Sequence, residues 1–166
     1  MQSTSYSAPR GIKAGALGGL IGSIVLGLLA GISALVLGEE IFYVTIARKL
    51  GLGDFSLAGA WILHFTVGII AGAVFIGVTA VMKRLAITST GRGVWIGLLG
   101  GIAVWLIVYV PVTELLVPTD LTNPMFAGGA LIFHMIYGII TAIVSLSLIQ
   151  RTVRQETIVE KRLITS

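Results

Sequence analysis

Gly59-Ala-Trp-Ile-Leu-His64-Phe-Thr-Val-Gly68-Ile-Ile-Ala-Gly72 returns seventy residues later as Gly129-Ala-Leu-Ile-Phe-His134-Met-Ile-Tyr-Gly138-Ile-Ile-Thr-Ala142. Each copy carries one of the chain's two histidines, and apart from it each is almost wholly apolar. Small residues stand one turn before and after each histidine, so Ala60, Gly68 and Gly72 share a helical face with His64. Ala130, Gly138 and Ala142 do the same for His134. Ionisable groups inside apolar spans face a bundle interior or a cavity. Both rings are therefore expected inside a helix interface, about ten residues from their helix starts and roughly 15 Å deep at 1.5 Å per residue.

Working outward, the surrounding runs are long enough to cross about 30 Å of hydrocarbon. Four spans are predicted, at about 14–38, 55–82, 93–112 and 124–149. The chain of 166 residues is 56% hydrophobic and 11% charged, with mean hydropathy +1.03, which leaves too little polar surface for a soluble domain. The predicted class is an all-α integral membrane protein, one four-helix transmembrane domain over 1–166. A polar tail, Met1–Pro9, precedes the first span without a cleavage site, so that span reads as an uncleaved anchor.

The net charge of +4 is a topology signal. Arg10, Lys13, Lys83, Arg84, Arg92, Arg151, Arg154, Lys161 and Arg162 lie in the two termini and the central loop, against Arg48 and Lys49 in the other two. The positive-inside rule then places both termini in the cytoplasm of a multi-pass protein of the plasma or inner membrane. The basic residues fit anionic lipid and argue against a nucleic-acid partner. The segment 150–166 is expected as a cytoplasmic tail, partly helical with a frayed end.

Segments 58–74 and 128–144 agree at Gly59, Ala60, Ile62, His64, Gly68, Ile69, Ile70 and Val74. At an offset of seventy-four, Gly19, Ser23, Gly27 and Glu40 fall on Gly93, Gly97, Gly101 and Glu114. The unit is a hairpin of odd helix, outer loop and even helix, over about 11–84 and 85–154. Each unit holds an even number of spans, so both insert the same way, with a pseudo-two-fold axis along the membrane normal. Asp54 and Asn123 are expected N-caps of the even helices, and Pro124 fits a first turn. Pro111 is expected to kink or end the third span. Tyr43, Trp61 and Tyr109 sit where an aromatic belt would.

The odd helices carry a small residue at every fourth position: Gly11, Gly15, Gly19, Ser23, Gly27 and Gly31, then Ser89, Gly93, Gly97 and Gly101. Such stripes let helix backbones approach closely, within a chain or between subunits.

For the histidines three readings stand: an interhelical hydrogen bond to a backbone carbonyl, Thr66, Thr141 or Tyr137; a bis-histidine site for haem b or a metal ion; or a protonatable pair along a solute path. Glu40 and Glu114 read as interfacial carboxylates, with an outer metal site or a vestibule that attracts cations as the alternative. A single metal cage shared with the imidazoles is not expected, because the two glutamates stand at the outer ends of their spans. The chain has no cysteine, which excludes disulfides, thiolate metal sites and covalent haem attachment. It shows no phosphate loop, HExxH, nucleophile–base pair or paired carboxylates at depth, so an enzyme acting alone is not expected, and no cofactor is required.

The segment His134-Met-Ile-Tyr137-Gly138, with its twin His64-Phe-Thr-Val67-Gly68, resembles small prokaryotic inner-membrane proteins of the YagU-like kind, four-helix chains with an H-x-x-[YF]-G segment. Val67 departs from the aromatic position. The resemblance covers the even helices and implies a fold rather than an activity, and no site residue is carried over from it. From the residues themselves the expected role is an accessory subunit of a larger membrane complex or a homo-oligomer. A histidine-ligated electron-transfer subunit and a proton-linked transporter or channel are the alternatives.

Overall fold

A computed structural model describes residues 6–165. They form seven α-helices in chain order: α1 (Ala8–Leu37), α2 (Phe42–Lys49), α3 (Ser56–Val81), α4 (Thr90–Val104), α5 (Val110–Leu116), α6 (Pro118–Thr122) and α7 (Pro124–Thr165). A π turn, Trp105–Tyr109, joins α4 to α5. Four stretches are long and apolar enough to cross a membrane: Ala8–Leu37, Gly53–Val81, Thr90–Leu116 and Pro124–Ile164. With no strand among the described residues, every span satisfies its backbone within itself, as hydrocarbon requires.

The helix ends follow local chemistry, with one departure from expectation, at Asp54. Pro9 sits in the first turn of α1, and Gly38 ends that helix with φ 69°, its N–H reaching Ala34 and Leu35 carbonyls. Ser89 caps α4, accepting from the Arg92 N–H. Asn123 Oδ1 accepts from Met125 N at 3.0 Å, as its position before Pro124 leads one to expect. Asp54 does not cap α3, because it is absorbed in a 3₁₀ turn, Gly53–Phe55, and Phe55 stands at the N-cap. Pro111 does not end the third span. It lacks an N–H, and its ring excludes the carbonyl four residues back. The wider turn just before it, in which Val110 N bonds Trp105 O, makes room, and the helix runs on to Leu116.

The fourth helix likewise runs past Ile149 to Thr165. No Gly or Pro follows Gly138, and Arg10 Nη2 holds Glu156 Oε1 at 2.6 Å, pinning the extension to the start of α1.

Helix α1 lies between α3 and α7, and α4 lies on the far side of α7. All three contacts are antiparallel, which brings both termini and the 82–89 connection to one end of the bundle. On one face of α1, a Cβ added to Gly15 or Gly19 would strike the Gly72 or Gly68 carbonyl. On the other face, Gly18 and Gly22 meet Thr141, Ser145 and Tyr137 of α7. Gly97 and Gly101 meet Gly138 and His134 backbone in the same way. The glycine-rich faces are thus filled within the chain. A Cβ added at Gly27 would strike Trp61 and come close to His64, whereas among the described residues one at Gly31 would meet only Ile41, at 3.9 Å, and one at Gly93 only Ile87 of its own approach segment.

Because lipid tails are as apolar as the helices, this packing and a few interhelical hydrogen bonds hold the bundle. Ser145 Oγ donates to Ala14 O (3.0 Å), Tyr137 hydroxyl donates to Gly68 O (2.6 Å), and the Tyr6 and Thr79 hydroxyls meet at 2.7 Å.

Candidate functional site: the histidine cavity

His64 and His134 both line one cavity of about 790 Å³ at the end of the bundle away from the termini. The short helix α2 forms part of its wall. This eight-residue segment buries Tyr43, Val44, Ile46 and Ala47, and it packs on α3.

Around His64 the ring contacts are dense. Tyr43 stacks on the imidazole with centroids 4.7 Å apart and planes at 20°. Trp61 meets Tyr43 edge-on at 5.2 Å, and Phe65 lies 5.6 Å from the imidazole. His64 Nε2 lies 2.8 Å from the Ser23 carbonyl of α1. That reach depends on Gly27, where an added Cβ would come within 3.2 Å of the same nitrogen. The Tyr43 hydroxyl donates to Gly27 O at 2.8 Å. Tyr43 is not a belt residue, since it is 8% exposed, and burial pushes its phenol up to about 12.

His134 is held differently. Its Nδ1 lies 2.7 Å from Ala130 O, one turn back in its own helix, and Tyr109 tilts against the ring at 5.5 Å. Tyr109 is also buried, and it packs on Phe42 at 5.1 Å, so the second tyrosine turns inward as well. Both histidines therefore face backbone carbonyls, but only His64 does so across helices, as the first of the three readings has it; His134 bonds within its own helix. Thr66, Thr141 and Tyr137 are not their partners.

At the mouth stand Glu39, Glu40 and Asp120. Glu40 pairs with Arg48 and accepts from Thr45 Oγ1 at 2.7 Å. Burial raises the Asp120 carboxyl pKa, the Thr119 hydroxyl opposes this, and Glu39 nearby adds to it. Glu114 lies exposed on α5 and does not line the cavity. The structure therefore brings His64 and His134 to one cavity with Glu40 at its rim, and leaves Glu114 outside. Among the described residues, no three His, Asp or Glu are grouped as a metal site.

Sequence reasoning missed α2 as a cavity wall and Asp120 at the mouth. The signal for α2 was present: an amphipathic stretch between Gly38 and Gly51 in an outer loop longer than its counterpart. Comparison with known proteins matches this chain to no protein-family model, no curated protein and no solved structure.

Proposed function

We propose that this chain is a small multi-pass membrane protein of the transporter class, taking a small molecule into the histidine cavity from the end opposite its termini. The observation that carries the reading is a single cavity, lined from all four spans and from α2, that reaches both buried imidazoles. Concave, mainly apolar sites with a few convergent polar groups between bundle helices are where small ligands bind. On the side toward the termini α1 and α3 are packed tight by the Gly15–Gly72 and Gly19–Gly68 contacts, and in this reading the cavity is entered from the opposite end.

In this reading the basic residues at the termini and the 82–89 connection face the cytoplasm, and the cavity faces outward. The sequence repeat supports viewing the bundle as two hairpins inserted in parallel. Ser23 meets Gly68 where Gly97 meets Gly138, and Gly27 meets His64 where Gly101 meets His134. The accessory-subunit reading has less support, because the glycine faces that motivated it are occupied by α3 and α7. A bis-histidine haem also has less: His64 spends Nε2 on Ser23 O, while His134 leaves Nε2 free, so the rings offer different nitrogens.

The cysteine-free chain allows a direct test. Gly129 lines the cavity and has open space for a Cβ. Ser33 lines it from α1, and Ser145 is fully buried toward the opposite end. Gly129→Cys and Ser33→Cys should react with a charged, membrane-impermeant methanethiosulfonate added outside intact cells, and Ser145→Cys should not. Adding Val67→Tyr, which fills the cavity from α3, should slow both reactions. Cavity cysteines that stay unreactive from outside would overturn the reading.

A further inference from the structure

The class of ligand follows from the sign of what lines the cavity, and it rests on the binding role proposed above. A backbone carbonyl can only accept a hydrogen bond, so the imidazole nitrogen facing it must donate. Nε2 of His64 therefore carries the hydrogen shared with Ser23 O, and Nδ1 of His134 the one shared with Ala130 O. In a neutral imidazole the other nitrogen then holds the lone pair. Nδ1 of His64 and Nε2 of His134 have no hydrogen-bond partner among the described residues. Each of the two imidazoles that line the cavity thus keeps one acceptor nitrogen without a partner among the described residues and no free donor.

The mouth has the same sign. Three carboxylates line it, and none of the described lining residues is Lys or Arg. Arg48 neutralises Glu40 from outside the lining, which leaves Glu39 and Asp120 without an ion-pair partner among the described residues. Between mouth and imidazoles the wall is apolar and aromatic, with the Tyr109 and Phe42 rings in contact. Aromatic faces attract cations, and apolar walls accept a hydrocarbon body. A carboxylate or phosphate ligand would face like charge at the mouth and lone pairs at the imidazoles.

From this pattern we infer that the cavity takes a protonated amine bearing an apolar body. The ammonium sits between Glu39 and Asp120, the body lies along the aromatic wall, and a donor at the far end meets the imidazole lone pairs. Binding involves no covalent step.

The test uses two probes with one fluorophore and opposite charge: dansylcadaverine, a primary ammonium, and dansyl-6-aminohexanoate, a carboxylate. Both are titrated onto the full chain in phosphatidylcholine nanodiscs, reading the blue shift of dansyl emission against empty nanodiscs. The ammonium should bind saturably and the carboxylate should not. Glu39→Gln with Asp120→Asn should weaken binding roughly tenfold or more. Glu114→Gln, an exposed carboxylate that does not line the cavity, should leave it unchanged and controls for surface charge. Val67→Tyr should abolish binding.

Equal binding of the carboxylate, or no effect of the double substitution, would overturn the amine inference and leave the cavity reading standing. Saturable binding that survives Val67→Tyr would place the amine elsewhere and overturn it too. If neither probe binds while Gly129→Cys still labels from outside, the inference fails alone. If labelling fails as well, both fall.

Discussion

The Tyr137 hydroxyl lies 2.6 Å from the Gly68 carbonyl, joining the second copy of the repeated histidine helix to the first. The repeat aligns Tyr137 with Val67, so one of the positions where the copies differ in hydrogen-bonding ability ties them together. Valine cannot make the reciprocal bond to Gly138. Accordingly α7 packs closely on α1, whereas α3 reaches α4 mainly through the Phe75 ring against Gly100. Val67 instead lines the cavity, and its small size keeps that space open.

Removing the Tyr137 hydroxyl should cost little. Tyr137→Phe keeps the ring, and hydrogen bonds between membrane helices contribute about 0.6 kcal/mol on average. Reversible unfolding in mixed micelles should show a loss of about that size. A loss beyond roughly 2 kcal/mol would mean that the hydroxyl holds more than one contact.

The α1–α3 interface should tolerate no side chain. An added Cβ at Gly19 meets the Gly68 carbonyl, and backbone cannot swing aside. Gly19→Val should destabilise by roughly 1–3 kcal/mol, as overpacking does. Gly128, where a Cβ meets nothing within 4 Å, is the control. Gly128→Ala should change stability by less than about 0.5 kcal/mol. Thermal denaturation in one detergent compares the two, and equal effects would contradict the close approach.

Tyr43 should make the bundle alkali-sensitive. Its phenol ionises near 12 in the folded chain, against 10 for an ordinary tyrosine, because burial disfavours the phenolate. A folded pKa above the unfolded one gives stability that is complete below pH 10 and is lost as pH rises toward 12. A difference titration of tyrosine absorbance between the wild-type chain and Tyr43→Phe should show one group ionising about two units late. Ionisation of Tyr43 near pH 10 would show that the Tyr43–His64 stack is open to water.

The Arg10–Glu156 pair should matter locally and weakly. Both side chains are substantially exposed, 31% and 57%, and such pairs contribute at most about 1 kcal/mol. Arg10→Ala should leave the melting temperature nearly unchanged while amide exchange quickens around Glu156. Added salt should have a similar, smaller effect on the wild-type chain. Unchanged exchange at Glu156 would show that the α7 extension stands without α1.

Much of the architecture was legible because a bilayer leaves the chain few choices. An apolar run must be helical to satisfy its own backbone, so four runs gave four spans, and the inward histidines followed from their small-residue flanks. Local punctuation was readable where one residue acts on its own helix end, as at Asn123 and Gly38. It failed where a neighbouring segment intervened. Asp54 lost its capping role to a 3₁₀ turn.

Sequence by itself determined the number of spans, the gathering of basic residues at one end, and the residue types that face inward. These depend on composition and on a 3.6-residue period, which any single helix reveals. Tertiary structure alone decided that His64 meets the Ser23 carbonyl, and hence which of its nitrogens remains free. It also decided that Tyr43 and Tyr109 turn inward, and that Val67 opens a space where Tyr137 closes one. Those outcomes depend on contacts between residues as far apart as Ser23 and His64, or Gly68 and Tyr137. No local period encodes them, because they are set only when whole helices settle against one another.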